Sequence, residues 1–96
     1  MVITLCGSTK FKSYFELANA KLTLEGHVVL SVGVFGHSGD EVTDEQKIML
    51  DEIHKRKIDM SDAIYVLNVD GYIGESTKSE IAYAREHGKK IMYLEE

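Results

Sequence analysis

The sequence predicts an α/β fold, a small doubly wound three-layer sandwich around a four-stranded parallel sheet in the strand order 2-1-3-4. Short apolar runs alternate with longer segments of helical periodicity, in the order βαβαβαβ. Strands that are separated by helices require right-handed crossovers, which place neighbouring strands parallel. The chain of 96 residues has the length of one domain, so a single domain over residues 1–96 is expected.

The first half of the chain is predicted to form a strand, a helix and a second strand. Residues 2–6 are a short, partly β-branched apolar run that Gly7 ends. Residues 10–25 carry apolar side chains at spacings of four and three, the periodicity of an amphipathic helix. Gly26 follows at the position where a helix end favours a left-handed residue, and residues 27–32 are predicted to form the second strand.

A loop, a helix and a third strand are predicted next. Residues 33–42 contain three glycines and no periodicity, which indicates a loop. Thr43 and Gln46 have the spacing of a capping box, with two acidic residues in the first turn. The helix that they begin is predicted to run to about Met60. Residues 63–68 are nearly all apolar, as expected of a strand that is buried on both faces.

The remaining residues predict the last loop, helix and strand. Residues 71–76 are expected to form a loop, and residues 77–87 a helix that ends at Gly88. Residues 90–94 are apolar enough for the fourth strand. The complete pattern is that of the flavodoxin-like and Rossmann-like sandwiches.

Composition and charge exclude several classes of function. The chain has 11 basic against 16 acidic residues and a net charge of −5, which argues against binding to a nucleic-acid polymer. No apolar run approaches the roughly 20 residues that cross a membrane, and the N-terminus lacks the basic segment of a signal peptide. A single cysteine forms no internal disulfide. We therefore expect a cytoplasmic protein that acts on a small molecule.

Ligands of open α/β sheets bind beyond the carboxyl ends of the strands, where the strand order reverses. Three loops meet there in the predicted topology: residues 7–10, 33–40 and 68–77. In the first of them, Gly7-Ser8-Thr9 allows close backbone approach and offers two hydroxyls to a phosphate or a sugar. The same residues also suit a tight turn with a helix cap, and the two interpretations are compatible. The motif is neither a Walker A loop nor G-x-G-x-x-G, which argues against ATP and dinucleotide chemistry.

The third of these loops leads into the predicted helix that carries Glu80. Substrate contacts are expected from four of its residues, namely Asn68, Gly74, Ser76 and Thr77. Glu80 follows Thr77 by three residues, so the two could form a capping box. The helical stripe instead turns Glu80 toward the predicted crevice, where a carboxylate beside a helix N-terminus is suited to act as nucleophile or base.

The histidines and the cysteine indicate no metal centre and no cofactor. His54 lies on or beside the sheet-facing stripe of its predicted helix, where packing and catalysis are both possible roles. His37, in the glycine-rich loop, is expected to be exposed and could contact a ligand. The four histidines do not have the spacing of metal ligands. Cys6 is interpreted as a small core residue.

Two stretches of the sequence resemble the nucleoside 2-deoxyribosyltransferase superfamily, which includes the 2′-deoxynucleoside 5′-phosphate N-hydrolases. The first stretch is residues 5–8, and the second runs from residues 61–67 through the glycine-rich loop to residues 80–84 and 88–91. It implies that Glu80 attacks C1′ of the sugar and forms a glycosyl-enzyme ester as the base leaves. Water or a second base then takes the sugar.

The same resemblance implies further roles and partners. Gly7 and Ser8 match the loop that holds the sugar or its 5′-phosphate, and Ser76 lies in the second such loop. Either His54 or Asp70 is expected to assist the departure of the base. A homodimer is expected by resemblance, and also because the short sheet leaves apolar residues such as Tyr72 and Ile73 to cover. No cofactor is implied.

The sequence departs from the family pattern at three places. His54 stands where members carry an aspartate, and Thr4 falls where a tyrosine orients the glutamate. The chain stops at Glu96, without the C-terminal extension that reaches a neighbouring site in the transferases. We therefore expect hydrolysis of the N-glycosidic bond in preference to base transfer. The alternative is a non-catalytic module that binds or senses nucleotides in the same crevice.

Overall fold

Four parallel strands form one sheet in the order β2-β1-β3-β4, which confirms the predicted order and the α/β class. A computed structural model describes residues 1–96 of the chain. The strands are β1 (Val2–Cys6), β2 (Val28–Leu30), β3 (Ala63–Val66) and β4 (Lys90–Tyr93). The two central strands, β1 and β3, are therefore paired on both sides.

Three helices cover the sheet: α1 (Lys12–Leu24), α2 (Asp44–Asp59) and α3 (Glu75–Glu86). Short 3₁₀ turns at Thr9–Phe11, Gly36–Ser38 and Val69–Gly71 lie in the loops that follow the first three strands. None of the helices combines the length and the apolar character needed to cross a lipid bilayer.

Alternation along β1 divides the core into two layers, because successive side chains of a strand point to opposite faces. On one face, Ile3 and Leu5 pack with Phe15 and Leu22 of α1. The other face carries α2 and α3, and its buried apolar side chains form a second cluster: Cys6, Ile58, Ile64, Val66, Ile81 and Ala84. Cys6 is therefore a core residue, as predicted, and it faces the two helices that border the cavity described below.

The helix ends follow the predicted signals in three cases. Gly26 and Gly88 follow α1 and α3 with φ of 95° and 69°, left-handed values that glycine adopts without steric cost. The Thr43–Gln46 capping box is present, with both side chain-to-backbone hydrogen bonds formed. These signals are local, so they depend little on the rest of the fold.

The start of α3 differs from the prediction. The helix begins at Glu75 after Gly74, so Thr77 lies inside the first turn and does not cap it. Thr77 is 3% exposed, and its burial within the first turn of the helix outweighs its preference for a cap position. The capping box proposed for Thr77 and Glu80 is therefore wrong, and the Glu80 side chain is free for other contacts.

Candidate active site

A cavity of about 480 Å³ lies at the carboxyl ends of the strands, between the loops that follow β1, β2 and β3. Its volume is within the range of small-molecule sites. Most of the residues singled out in the sequence line it: Gly7, Ser8, Thr9, His37, His54, Gly74, Ser76, Thr77 and Glu80. The fold therefore brings these residues to one place, the crevice where the strand order reverses.

The turn after β1 approaches the exit of β3 closely, and Gly7 permits this approach. A Cβ atom on Gly7 would lie 3.0 Å from Cβ of Leu67 and 3.3 Å from its carbonyl oxygen, so a larger residue would push the two strand ends apart. The Ser8 hydroxyl accepts a hydrogen bond from the Lys10 amide at 3.4 Å. The turn therefore has the capping contact considered above and also borders the cavity.

Thr9 and His37 join the first and second loops across one side of the cavity. The Thr9 hydroxyl accepts a hydrogen bond from the His37 amide at 3.2 Å and lies 3.1 Å from Nδ1 of the same residue. The Ser38 hydroxyl donates to the Thr9 carbonyl at 2.7 Å. These contacts hold the glycine-rich loop against Thr9. His37 is exposed, as predicted, and its ring lies at the edge of the cavity.

The N-terminus of α3 forms the opposite side of the cavity. Gly74 precedes the helix in an extended conformation, and no side chain caps the first turn. The amides of this turn are consequently available, and the positive end of the helix dipole lies at Ser76 and Thr77. Such a terminus is suited to a phosphate or to another negatively charged group.

Three titratable side chains meet at the floor of the cavity. Nε2 of His54 lies 3.4 Å from Sγ of Cys6 and 3.7 Å from Oε1 of Glu80. They come from three elements: the end of β1, the middle of α2 and the second turn of α3. Cys6 is fully buried, and the side chains of His54 and Glu80 are only 7% and 13% exposed. The cluster is therefore largely shielded from solvent.

Burial keeps the members of this cluster neutral. It raises the pKa of Glu80 to about 8, an effect that the Asp51 carboxylate reinforces. Burial and the charge of Lys57 lower the pKa of His54 to about 4. Burial also raises the pKa of the Cys6 thiol well above its usual value. The separation between His54 and Glu80 would suit an ion pair, but at pH 7 the proton resides on Glu80 and the imidazole is neutral.

Asn68 and Asp70 lie outside this cavity. The Asn68 side chain donates to the carbonyl of Glu95 at 2.8 Å and accepts from its amide at 2.9 Å. Asp70 is exposed and has a φ of 54°, and its amide donates to the Glu95 carboxylate at 2.7 Å. Both residues hold the segment after β4 against the loop after β3.

Two further side chains at the site were not selected from the sequence. Cys6 was assigned to the core alone, although its position directly before Gly7 places it at a strand end beside the crevice. Lys57 lines the cavity, and its ammonium donates to the Ser31 carbonyl at 2.6 Å. Lys57 belongs to the short basic run at residues 55–57. Such a run usually lies on a solvated helix face, so the sequence did not indicate that Lys57 lines a site.

The fold and the cavity together define a doubly wound α/β domain with a strand-end site for a small ligand. Within that class, the chain belongs to the family described as Domain of unknown function (DUF4406), which matches residues 4–93. This family is grouped in the nucleoside 2-deoxyribosyltransferase-like clan. No protein among those with curated descriptions matches the chain.

Proposed function

We propose that the protein hydrolyses the N-glycosidic bond of a nucleoside or a nucleoside 5′-monophosphate, with Glu80 as the nucleophile. The observation that carries the proposal is the buried contact of 3.7 Å between Glu80 and His54 at the floor of the cavity. A carboxyl group and an imidazole side by side supply the nucleophile and the proton that such a displacement needs. The resemblance to the deoxyribosyltransferase superfamily and the clan of the matched family support the same reaction.

In the first step, an oxygen of Glu80 bonds to C1′ of the sugar as the bond from C1′ to the base nitrogen breaks. The proton that Glu80 holds passes to His54 and from there to the departing base. No charge is left on the enzyme. The step requires His54 to act as a relay, because an imidazole with a pKa of about 4 is neutral at pH 7 and has no acidic proton to give until Glu80 supplies one. We assign this role to His54 in preference to Asp70, which does not line the cavity.

In the second step, water attacks C1′ of the glycosyl ester, and Glu80 is restored as the free acid. A second cavity of about 240 Å³, lined entirely by polar residues, also reaches Glu80 and offers water a route to the ester. The two steps split one difficult displacement into two easier ones, as in retaining glycosidases.

The sugar and phosphate are held by the loops on either side of Glu80. Gly7 and Ser8 present the turn after β1, and the first turn of α3 presents free amides at Ser76 and Thr77. A 5′-phosphate placed between them would meet backbone donors and a positive helix end. A single small anion fits this arrangement, and the net charge of −5 does not favour a nucleic-acid polymer.

The experiment is a panel of nucleosides and nucleotides with chromatographic detection of the free base. Glu80→Gln should abolish base release while ligand-induced shifts in melting temperature persist, because the amide fills the same space without a nucleophilic oxygen anion. Glu86→Gln is the matched control, since Glu86 lies at the exposed end of the same helix. Base release by Glu80→Gln at the wild-type rate would refute the mechanism.

A non-catalytic nucleotide sensor is the second candidate, and one observation favours it. The Glu80 carboxyl is protonated at rest, which suits a hydrogen-bond donor to a bound base or sugar as well as a latent nucleophile. The same panel separates the two functions. Melting shifts with particular nucleotides and no free base from any of them would establish the sensor.

A further inference from the structure

Cys6, His54 and Glu80 are brought together in a geometry that the proposed reaction does not need. Hydrolysis uses Glu80 and His54, whereas the Cys6 thiol has no part in it. Yet Sγ, Nε2 and the carboxylate oxygen all lie within 4.8 Å of one another. Thiolate, imidazole and carboxylate are three of the ligand types that bind zinc.

Two of the three distances within the cluster are close to those between the ligands of one tetrahedral ion. With Zn–S of about 2.3 Å and Zn–N of about 2.0 Å, sulfur and nitrogen ligands of one tetrahedral ion are about 3.5 Å apart. Nitrogen and oxygen ligands are about 3.3 Å apart by the same geometry. In the protein, Sγ and Nε2 are 3.4 Å apart, and Nε2 and Oε1 are 3.7 Å apart. The third distance, from Sγ to the carboxylate oxygen, is within 4.8 Å, so side-chain movements of about 1 Å would complete the coordination.

The surroundings are those of a site with an open position. Cys6 is fully buried on the inner side of the cluster, whereas His54 and Glu80 line the cavity, so a fourth ligand could reach the ion from the cavity. Three protein ligands and one open position are the arrangement of catalytic zinc sites, in contrast to four closed ligands in structural ones. The thiol makes calcium and magnesium poor candidates, because they prefer oxygen.

We infer that Cys6, His54 and Glu80 form a binding site for a single Zn²⁺-class transition-metal ion, with its fourth position open to the cavity. The inference does not depend on the proposed hydrolysis. If that reaction occurs, the ion and the sugar compete for the same Glu80 oxygen, and the metal-bound protein is the inactive form.

Cobalt(II) titration of the full-length reduced chain tests the site, because Co²⁺ occupies zinc sites and absorbs light. One equivalent should produce intense visible d–d bands of a four-coordinate ion and a near-ultraviolet thiolate charge-transfer band. Zn²⁺ should abolish both. Since Cys6 is the one cysteine of the chain, Cys6→Ser should remove the charge-transfer band. No charge-transfer band in the wild type would overturn the inference.

His54→Gln and Glu80→Gln distinguish the site from metal capture by a lone thiol. Each should weaken cobalt binding by about tenfold or more, as loss of a ligand or its support does at metal sites. His87→Gln and Glu86→Gln, which change exposed residues at the C-terminal end of α3, should bind like the wild type. Circular dichroism and melting curves check that every variant is folded. Unchanged affinity in folded His54→Gln and Glu80→Gln would refute the three-ligand site, whatever the result of the base-release assay.

Discussion

Glu80 is placed to give up a proton as it attacks. Its carboxyl is buried against His54 and protonated at neutral pH, because burial raises its pKa to about 8. Departure of a nucleobase requires a proton, and attack at C1′ requires a carboxylate. Transfer through His54 satisfies both requirements in one step. A fully exposed glutamate would be ionised at rest and could not supply that proton.

His54→Gln tests this relay at the scale of one residue. The variant keeps a polar side chain but cannot pass a proton, so base release should fall by about 100-fold to 10,000-fold, the usual contribution of general acid catalysis. A substrate with 7-methylguanine, whose base leaves without protonation, should lose much less when it is assayed above pH 8, where Glu80 is already ionised and needs no proton acceptor. The measurement is the rate of base release from both substrates.

The control for the relay is His87→Gln, since His87 lies at the exposed end of α3 and away from the cavity. Its rates should match those of the wild type. An equal loss on both substrates in His54→Gln would mean that His54 positions Glu80 and does not carry the proton.

At the scale of elements, α2 is the most weakly anchored helix. It has 16 residues, but only His54 and Ile58 are buried. Ile58 is fully buried between Cys6, Ile64 and the other members of its cluster. Ile58, one turn further along the same helix, is therefore the fully buried aliphatic side chain that anchors α2 beside His54.

Ile58→Ala should lower the free energy of unfolding by about 2–5 kcal/mol, because it leaves a cavity in the core. Ile48→Ala is the matched control on the same helix, where the side chain is 64% exposed. That substitution should change stability by no more than about 0.5 kcal/mol. Urea denaturation measures both, and equal effects of the two would contradict the role given to Ile58.

The helices also show which features could be predicted from the sequence. The capping box of α2 was predicted correctly because Thr43 and Gln46 determine it between themselves. The start of α3 was placed too late, since the burial of Thr77 is a tertiary effect that spacing does not reveal. The parallel arrangement of the strands followed from the alternation of elements, which holds along the whole chain.

For the whole molecule, the location of the site was predictable and its chemistry was only partly so. The reversal of strand order places the crevice, and the crevice contains most of the selected residues. The approach of Cys6 to His54 was missed because the two are 48 positions apart and only the folded chain brings them together. Asn68 was assigned to substrate for its place in a loop, whereas its partner is Glu95.

A homodimer is the expected state of the whole molecule. Large apolar side chains are exposed on several elements, among them Leu17, Leu24 and Met60 with 68%, 89% and 65% of their surface accessible. A second copy of the chain would cover some of this surface. Size-exclusion chromatography with light scattering should give twice the mass of one 10.8 kDa chain. A single-chain mass at every concentration tested would contradict this expectation.

The side-chain amide of Asn68 imitates the peptide group of a neighbouring strand. It donates to the Glu95 carbonyl and accepts from the Glu95 backbone amide, so the hydrogen bonding between β3 and β4 continues beyond the last paired residues of these strands. Three hydrogen bonds therefore tie the residues that follow β4 to the loop after β3. Because the same loop continues to Gly74 at the cavity, the last residues of the chain are coupled to one wall of the site although none of them lines it.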